Sequence, residues 1–179
     1  MSAPRSVRIA VVAGLAGLLG LLLSACAVVP PAAHGVEFVL VRHAEKADDG
    51  TRDPPLTAAG REQARKRHGA LADAPLVAAY ASDYRRTQQT AQPTADAHRL
   101  AVAGYDPARP AAEFAAQLLQ RHPNGSVLVV GHSNTVPGLA AALCRCTVAP
   151  LGDQDYDRLF RIGVDAQGHA LLSEQRYGD

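Results

Sequence analysis

Strand-like apolar runs alternate with helical patterns along most of this 179-residue chain, and this alternation restricts the fold more than any other feature. Three runs read as buried strands: VEFVLV (36–41), VAAYAS (77–82) and SVLVVG (126–131). Helices are predicted between them, over 56–72, 84–97, 111–121 and 134–143. Because such strands need cover on both faces, we predict one three-layer α/β domain around a mostly parallel sheet. RLFRIGV (158–164) and HALLSEQRY (169–177) predict a closing hairpin.

The first 25 residues have the pattern of an export signal. Arg5 and Arg8 precede an uncharged apolar run over 9–23, which is shorter than the roughly 20 residues of a spanning helix. The ending Leu-Ser-Ala-Cys resembles the lipobox of bacterial lipoproteins, which implies that Cys26 is lipidated and becomes the first mature residue. The alternative is a plain secretory signal with a chance cysteine.

This interpretation divides the chain into a signal peptide (1–25), a tether (26–35) and a folded domain (36–179). It predicts a lipid-anchored protein of the cell envelope, on the periplasmic face of the outer membrane. Loss of Arg5 and Arg8 changes the formal charge from +1 to −1, so the mature domain has no excess of positive charge for holding nucleic acid. Cys144 and Cys146 remain, and the oxidising compartment permits a tight disulfide between them or two free thiols.

Ionisable residues follow all three apolar runs. Arg42 and His43 follow the first, Arg85 and Arg86 the second, and His132 the third. Ligands of open α/β sheets bind at the carboxyl ends of the strands, so we expect these residues to meet there. Two arginines and two histidines are the set expected around a phosphate. Ser82 and Asp83 are predicted to cap the helix that carries the arginines, and Thr57 the first helix, where Gly60 would allow close packing.

Four ordered motifs resemble the histidine phosphatase superfamily, also called phosphoglycerate mutase-like: LVRHAEK, PLTAAGREQA, SDYRRTQQTAQP and VLVVGHSNTVP. The resemblance implies the fold of that family and a small phosphorylated substrate. It assigns His43 as the nucleophile that forms a phosphohistidine, and Arg42, Arg86 and His132 as the residues that hold the phosphate. Water would then hydrolyse the phosphohistidine, so neither a metal nor a cofactor is expected. Sugar phosphates, nucleotides and phosphorylated envelope components all fit.

The general acid is where this chain departs from the family pattern. Many relatives carry a glutamate after the third motif, and this sequence has no clear equivalent. Asp106 follows the short apolar piece LAVAGY and is the first candidate, with Glu113 in the next helix as the reserve.

Two other classes of function are compatible with parts of the sequence. His43 and Glu45 have the H-x-E form of zinc deaminases, but Cys-Arg-Cys at 144–146 lacks the Pro-Cys-x-x-Cys spacing of that signature. A non-catalytic anchored domain that binds anionic envelope components would keep the same pocket. The chain has no evident insertion to shield a phosphohistidine from water, which favours a phosphatase over a mutase. Glu45 and Lys46 either line the pocket mouth or form an exposed pair.

Overall fold

A computed structural model describes residues 35–177, and the predicted signal peptide and Cys26 lie outside the described residues. This part of the chain folds into six strands and four helices. In chain order they are β1 (Gly35–Arg42), α1 (Ala58–Leu71), β2 (Leu76–Ser82), α2 (Arg85–Ala97), β3 (Val102–Tyr105), α3 (Ala111–Arg121), β4 (Gly125–Gly131), α4 (Val136–Cys144), β5 (Arg158–Asp165) and β6 (Ala170–Arg176).

The strands form a single sheet in the order β3-β2-β4-β1-β5-β6. The first four in this order are parallel, whereas β5 runs antiparallel to β1 and to β6. The predicted mostly parallel sheet and the closing hairpin are thus confirmed. Arg42 of β1 pairs with Gly131 of β4, so the two central strands end at the same level.

Both faces of the sheet are covered, as the continuous apolar runs predict. On one face, Phe38 and Leu40 of β1 pack in one cluster with Leu118 of α3 and Leu139 of α4. On the other, Val39 and Val41 share a cluster with residues of α1 and α2. Successive β1 side chains therefore enter opposite layers of the core. None of the helices described by the structure is long and apolar enough to cross a membrane.

Side-chain caps were predicted at the starts of α1 and α2, and only the first of them is present in the structure. Thr57 does cap α1, since its hydroxyl accepts from the Gly60 amide at 2.9 Å. The predicted cap at Ser82 and Asp83 is wrong: Ser82 ends β2, fully buried, and its hydroxyl bonds to side chains instead. The Arg85 amide donates to Asp53 from the loop before α1.

The last helix starts at Val136, two residues later than predicted, because 132–135 forms a turn. Thr135 Oγ1 accepts from the His132 amide at 3.0 Å, and the His132 carbonyl accepts from the Thr135 amide. At the other end of this helix, Cys144 and Cys146 form a disulfide, one of the two states that the sequence left open.

Gly60 allows α1 to approach the chain that leaves β1. A Cβ at this position would lie 2.1 Å from the Glu45 carbonyl oxygen, and backbone on both sides limits relaxation. We therefore expect Gly60→Ala to lower the free energy of unfolding by about 1–3 kcal/mol, the usual cost of overpacking. The control is Gly69→Ala in the same helix, where a Cβ meets nothing within 4 Å. It should raise the free energy of unfolding by about 0.4–1 kcal/mol. Urea unfolding of both variants tests this, and an unchanged Gly60→Ala would contradict it.

Candidate active site

Four of the predicted site residues lie around one cavity of about 450 Å³ at the carboxyl ends of the parallel strands. Arg42 and His43 come from the end of β1, His132 from the end of β4, and Arg86 from the first turn of α2. The His43 amide donates to the Gly131 carbonyl at 2.9 Å and continues the β1–β4 ladder beyond its last pair. The ring centres of His43 and His132 lie 5.4 Å apart, edge to face. The structure therefore places these four predicted residues around one pocket.

His43 is held in one tautomer by the backbone. Its Nδ1 lies 2.8 Å from the Ala44 carbonyl oxygen. A carbonyl only accepts, so Nδ1 must carry the proton and Nε2 keeps its lone pair. The pKa of His43 is lowered to about 3, mainly by burial and also by the nearby Arg42, His132 and Arg86, while the hydrogen bond to the Ala44 carbonyl opposes the shift. The imidazole is therefore neutral at neutral pH and nucleophilic at Nε2.

Arg42 is anchored by the loop before β5. Its Nη1 donates to the carbonyls of Gly152 at 2.8 Å and Asp153 at 3.0 Å, and its guanidinium lies 4.3 Å from the centre of the Tyr156 ring. The side chain is only 7% exposed, yet its Nε has no hydrogen-bond partner among the described residues. Buried donors without partners are rare in proteins, and they need an acceptor.

Arg86 lines the same pocket and is also supported by an aromatic ring. Its guanidinium stacks 4.2 Å from the centre of the Tyr84 ring, and Nη1 lies 3.6 Å from an oxygen of Asp53. Within residues 35–177, neither its Nε nor its Nη1 has a hydrogen-bond partner. Arg42 and Arg86 thus both line the pocket and keep N–H groups without a partner among residues 35–177, and a phosphate supplies several acceptor oxygens with negative charge.

His132 completes the pocket. Its Nε2 lies 2.9 Å from the Ser82 hydroxyl, and the Tyr84 ring stands edge-on to it at 5.2 Å. Burial, followed by the charges of Arg86 and Arg42, lowers the pKa of His132 to about 4. In the free protein, both histidines are neutral and the two arginines carry the positive charge of the site.

The candidate acids lie outside this cluster of four. Asp106 is exposed, and its Oδ1 accepts from the Ala108 amide at 2.9 Å. It lines an adjoining cavity, while its neighbours Pro107 and Ala108 line both that cavity and the pocket of the four residues. Glu113 lies on the exposed face of α3, 3.6 Å from Arg109. The role of Asp106 stays a prediction.

Glu45 and Lys46 have different environments. Lys46 is exposed and lines the pocket, whereas the Glu45 carboxylate accepts a hydrogen bond from the Thr57 hydroxyl at 2.7 Å. The sequence analysis missed Tyr84 and Tyr156, whose rings support the two arginines. Tyr84 stands only two residues before Arg86, so its contact with that arginine could have been predicted from the sequence. Tyr156 had no local signal, because its contact with Arg42 spans more than half of the chain.

Comparison with known proteins confirms the family resemblance. A family model described as histidine phosphatase superfamily (branch 1) matches residues 38–108. That segment includes Arg42, His43, Arg86 and Asp106. No curated protein matches the chain significantly in sequence.

Solved structures share the fold. A mycobacterial glucosyl-3-phosphoglycerate phosphatase aligns with a TM-score of 0.63 at 17% identity, over 80% of this chain and 100% of that one. The protein histidine phosphatase SixA in complex with tungstate gives 0.64 at 21%, over 78% and 96%. A putative phosphohistidine phosphatase SixA from Nakamurella multipartitia gives 0.62 at 23%, over 83% and 100%. The predicted phosphoglycerate mutase-like architecture is confirmed.

Proposed function

We propose that this chain, which matches the histidine phosphatase family model, is a phosphatase that hydrolyses small phosphomonoesters through a phosphohistidine on His43. The observation that carries the proposal is the buried, neutral His43, which shares a pocket with two arginines whose N–H groups are not all paired within the described part of the chain. Further support comes from structural neighbours named as phosphatases of phosphorylated small molecules and of phosphohistidine.

The reaction proceeds in two displacements at phosphorus. In the first, Nε2 of His43 forms a bond to phosphorus while the bond from phosphorus to the ester oxygen breaks, and the general acid, Asp106 in this proposal, gives its proton to the leaving oxygen. In the second, a water oxygen bonds to phosphorus as the P–N bond breaks, the water gives a proton back to that carboxylate, and phosphate is released. Arg42 and Arg86 stabilise the charge on the equatorial oxygens in both steps, and this positive charge allows the scheme to work without a metal.

A covalent intermediate on His43 is the first prediction. Mixing the protein with a ³²P-labelled monoester and quenching in alkali should retain label on the protein, and acid should release it, because a phosphoramidate is acid-labile. His43→Ala should carry no label and show no turnover of p-nitrophenyl phosphate. His132→Ala is the control, since it weakens phosphate binding but keeps the nucleophile and should still be labelled.

Two outcomes would contradict this assignment. Full turnover in His43→Ala would remove His43 from the chemistry. Phosphate binding without any turnover in the wild-type protein would favour the alternative, a non-catalytic binder of phosphorylated or anionic envelope components.

The second prediction concerns Asp106 as general acid. An alkoxide leaving group needs a proton in the transition state, and a positioned acid contributes about 10²–10⁴-fold. Asp106→Asn should therefore slow hydrolysis of an alkyl phosphate by about that factor while leaving p-nitrophenyl phosphate nearly unaffected. The matched control is Glu113→Gln, which should change neither rate. Equal slowing of both substrates by Asp106→Asn would indicate a structural role, and a selective effect of Glu113→Gln would transfer the role to that residue.

We also propose that the chain acts at the cell envelope, anchored by a lipid on Cys26. The support is in the sequence, where Arg5 and Arg8, the apolar run and the Leu-Ser-Ala-Cys ending occur in the order of a lipoprotein signal. Cys26→Ala should move the protein from the membrane fraction to the soluble envelope fraction. Equal partitioning of wild type and variant would refute lipidation.

A further inference from the structure

Two hydroxyl side chains connect the pocket histidine His132 to the backbone at the start of α2. Ser82 Oγ lies 2.9 Å from His132 Nε2 on one side and 2.9 Å from Thr87 Oγ1 on the other. Thr87 Oγ1 lies 2.8 Å from the carbonyl oxygen of Ser82 and 2.7 Å from that of Tyr84. Ser82 and Thr87 are both fully buried, and the Ser82 carbonyl also accepts from the Gln88 side-chain amide at 2.9 Å.

The hydrogens in this chain can be assigned from what each atom is able to donate. The Thr87 hydroxyl has one hydrogen, and two carbonyl oxygens lie within 2.8 Å of its oxygen. A carbonyl has no hydrogen to donate, so only the Thr87 hydrogen can make either of these two contacts a hydrogen bond, and it points towards the carbonyls. Thr87 Oγ1 can then only accept from Ser82, and the Ser82 hydroxyl donates to it.

The direction of the hydrogen bond from Ser82 to Thr87 determines which ring nitrogen of His132 carries the proton. Because the Ser82 hydrogen is directed to Thr87, Ser82 Oγ presents a lone pair to His132 Nε2. That nitrogen must therefore be an N–H, and in the neutral ring Nδ1 carries the lone pair. His132 is thus the opposite tautomer of His43, whose proton is on Nδ1.

We propose that Ser82 and Thr87 form a hydroxyl relay that fixes His132 as the Nε2–H tautomer, which makes Nδ1 the nitrogen that contacts the phosphoryl group. Ser82 is then a positioning residue for His132. The catalytic part of this inference rests on the proposed phosphatase reaction, whereas the assignment of the tautomer does not.

The relay also makes His132 a better partner for a phosphate. A dianion in the pocket favours a second proton on the ring, at Nδ1, which would then donate to a phosphate oxygen. The cation keeps its Nε2–H bond to Ser82, and a bond from a charged donor is stronger than a neutral one. The other groups around His132 do not favour a positive charge on its ring. Arg42 from the end of β1, Arg86 from α2 and Lys46 at the pocket mouth are positive themselves, and His43 and Tyr84 are neutral.

The direct test is the tautomer of His132, read from ¹⁵N shifts of the imidazoles in the full chain at neutral pH. His132→Asn identifies the signal, and His43 serves as an internal reference of opposite tautomer. The wild type should show His132 protonated at Nε2 and unprotonated at Nδ1. An unprotonated Nε2 would overturn the relay, and this measurement needs no variant of Ser82 or Thr87.

Variants then test whether the relay sets that state. Ser82→Ala removes the acceptor and should give a mixture of His132 tautomers. Thr87→Val removes the hydroxyl at nearly constant volume and should do the same, whereas Thr87→Ser should restore the wild-type signal. A single Nε2–H signal that persists in both Ser82→Ala and Thr87→Val would also overturn the proposal.

Kinetics test the link to the reaction. Ser82→Ala should lower kcat/KM for p-nitrophenyl phosphate by about tenfold to a hundredfold, the loss expected for one hydrogen bond to a charged group. Thr87→Val should lower it in the same direction and Thr87→Ser should rescue it. Unchanged kcat/KM in Ser82→Ala would refute the positioning role. If the wild type shows no turnover at all, the phosphatase proposal fails. The hydroxyl relay is then tested only by the ¹⁵N measurement of the His132 tautomer.

Discussion

The parallel pairing of β1 with β4 is the interaction on which the site depends. It aligns Arg42 with Gly131, so the two strands end at one level and deliver His43 and His132 side by side. The bond from the His43 amide to the Gly131 carbonyl extends this alignment by one residue. A register shift of one residue would send every side chain of β1 to the opposite face. The apolar residues that alternate between two core layers therefore fix the geometry of the polar residues that follow them.

The second constraint is electrostatic, because the largely buried side chains of Arg42 and Arg86 line the pocket with little negative charge nearby. Backbone carbonyls and the Tyr156 ring support Arg42, and the Tyr84 ring supports Arg86, whose nearest carboxylate oxygen is 3.6 Å away. Since their charge is not fully compensated within the described chain, the arginines lower the pKa values of both histidines, in addition to burial. The same arrangement that keeps His43 neutral thus attracts an anion.

The sequence predicted the parts of this structure that depend on local pattern. Strands β1, β2 and β4, the hairpin and the group of Arg42, His43, Arg86 and His132 follow from apolar runs and from what comes directly after them, whereas β3 was recognised only as a short apolar piece. It did not predict the role of Ser82, which looks like a helix cap, because its contact with His132 crosses 50 positions. The loop around Gly152 was missed for the same reason, since its contact with Arg42 spans 110 positions and involves only a carbonyl. Any residue type supplies a carbonyl, so such contacts leave no signal in the sequence.

The central claim is that Arg42 and Arg86 together hold a phosphoryl group against His43. Tungstate is an oxyanion of similar shape, and its binding can be measured by calorimetry without turnover. The wild type should bind one tungstate per chain, and Arg42→Met and Arg86→Met should each weaken binding by about tenfold to a hundredfold, as expected for lost charge-assisted bonds. Arg65→Met is the control, because Arg65 lies exposed on α1 beside Glu62. Unchanged tungstate affinity in both pocket variants, or an equal loss in the control, would contradict this account of the site.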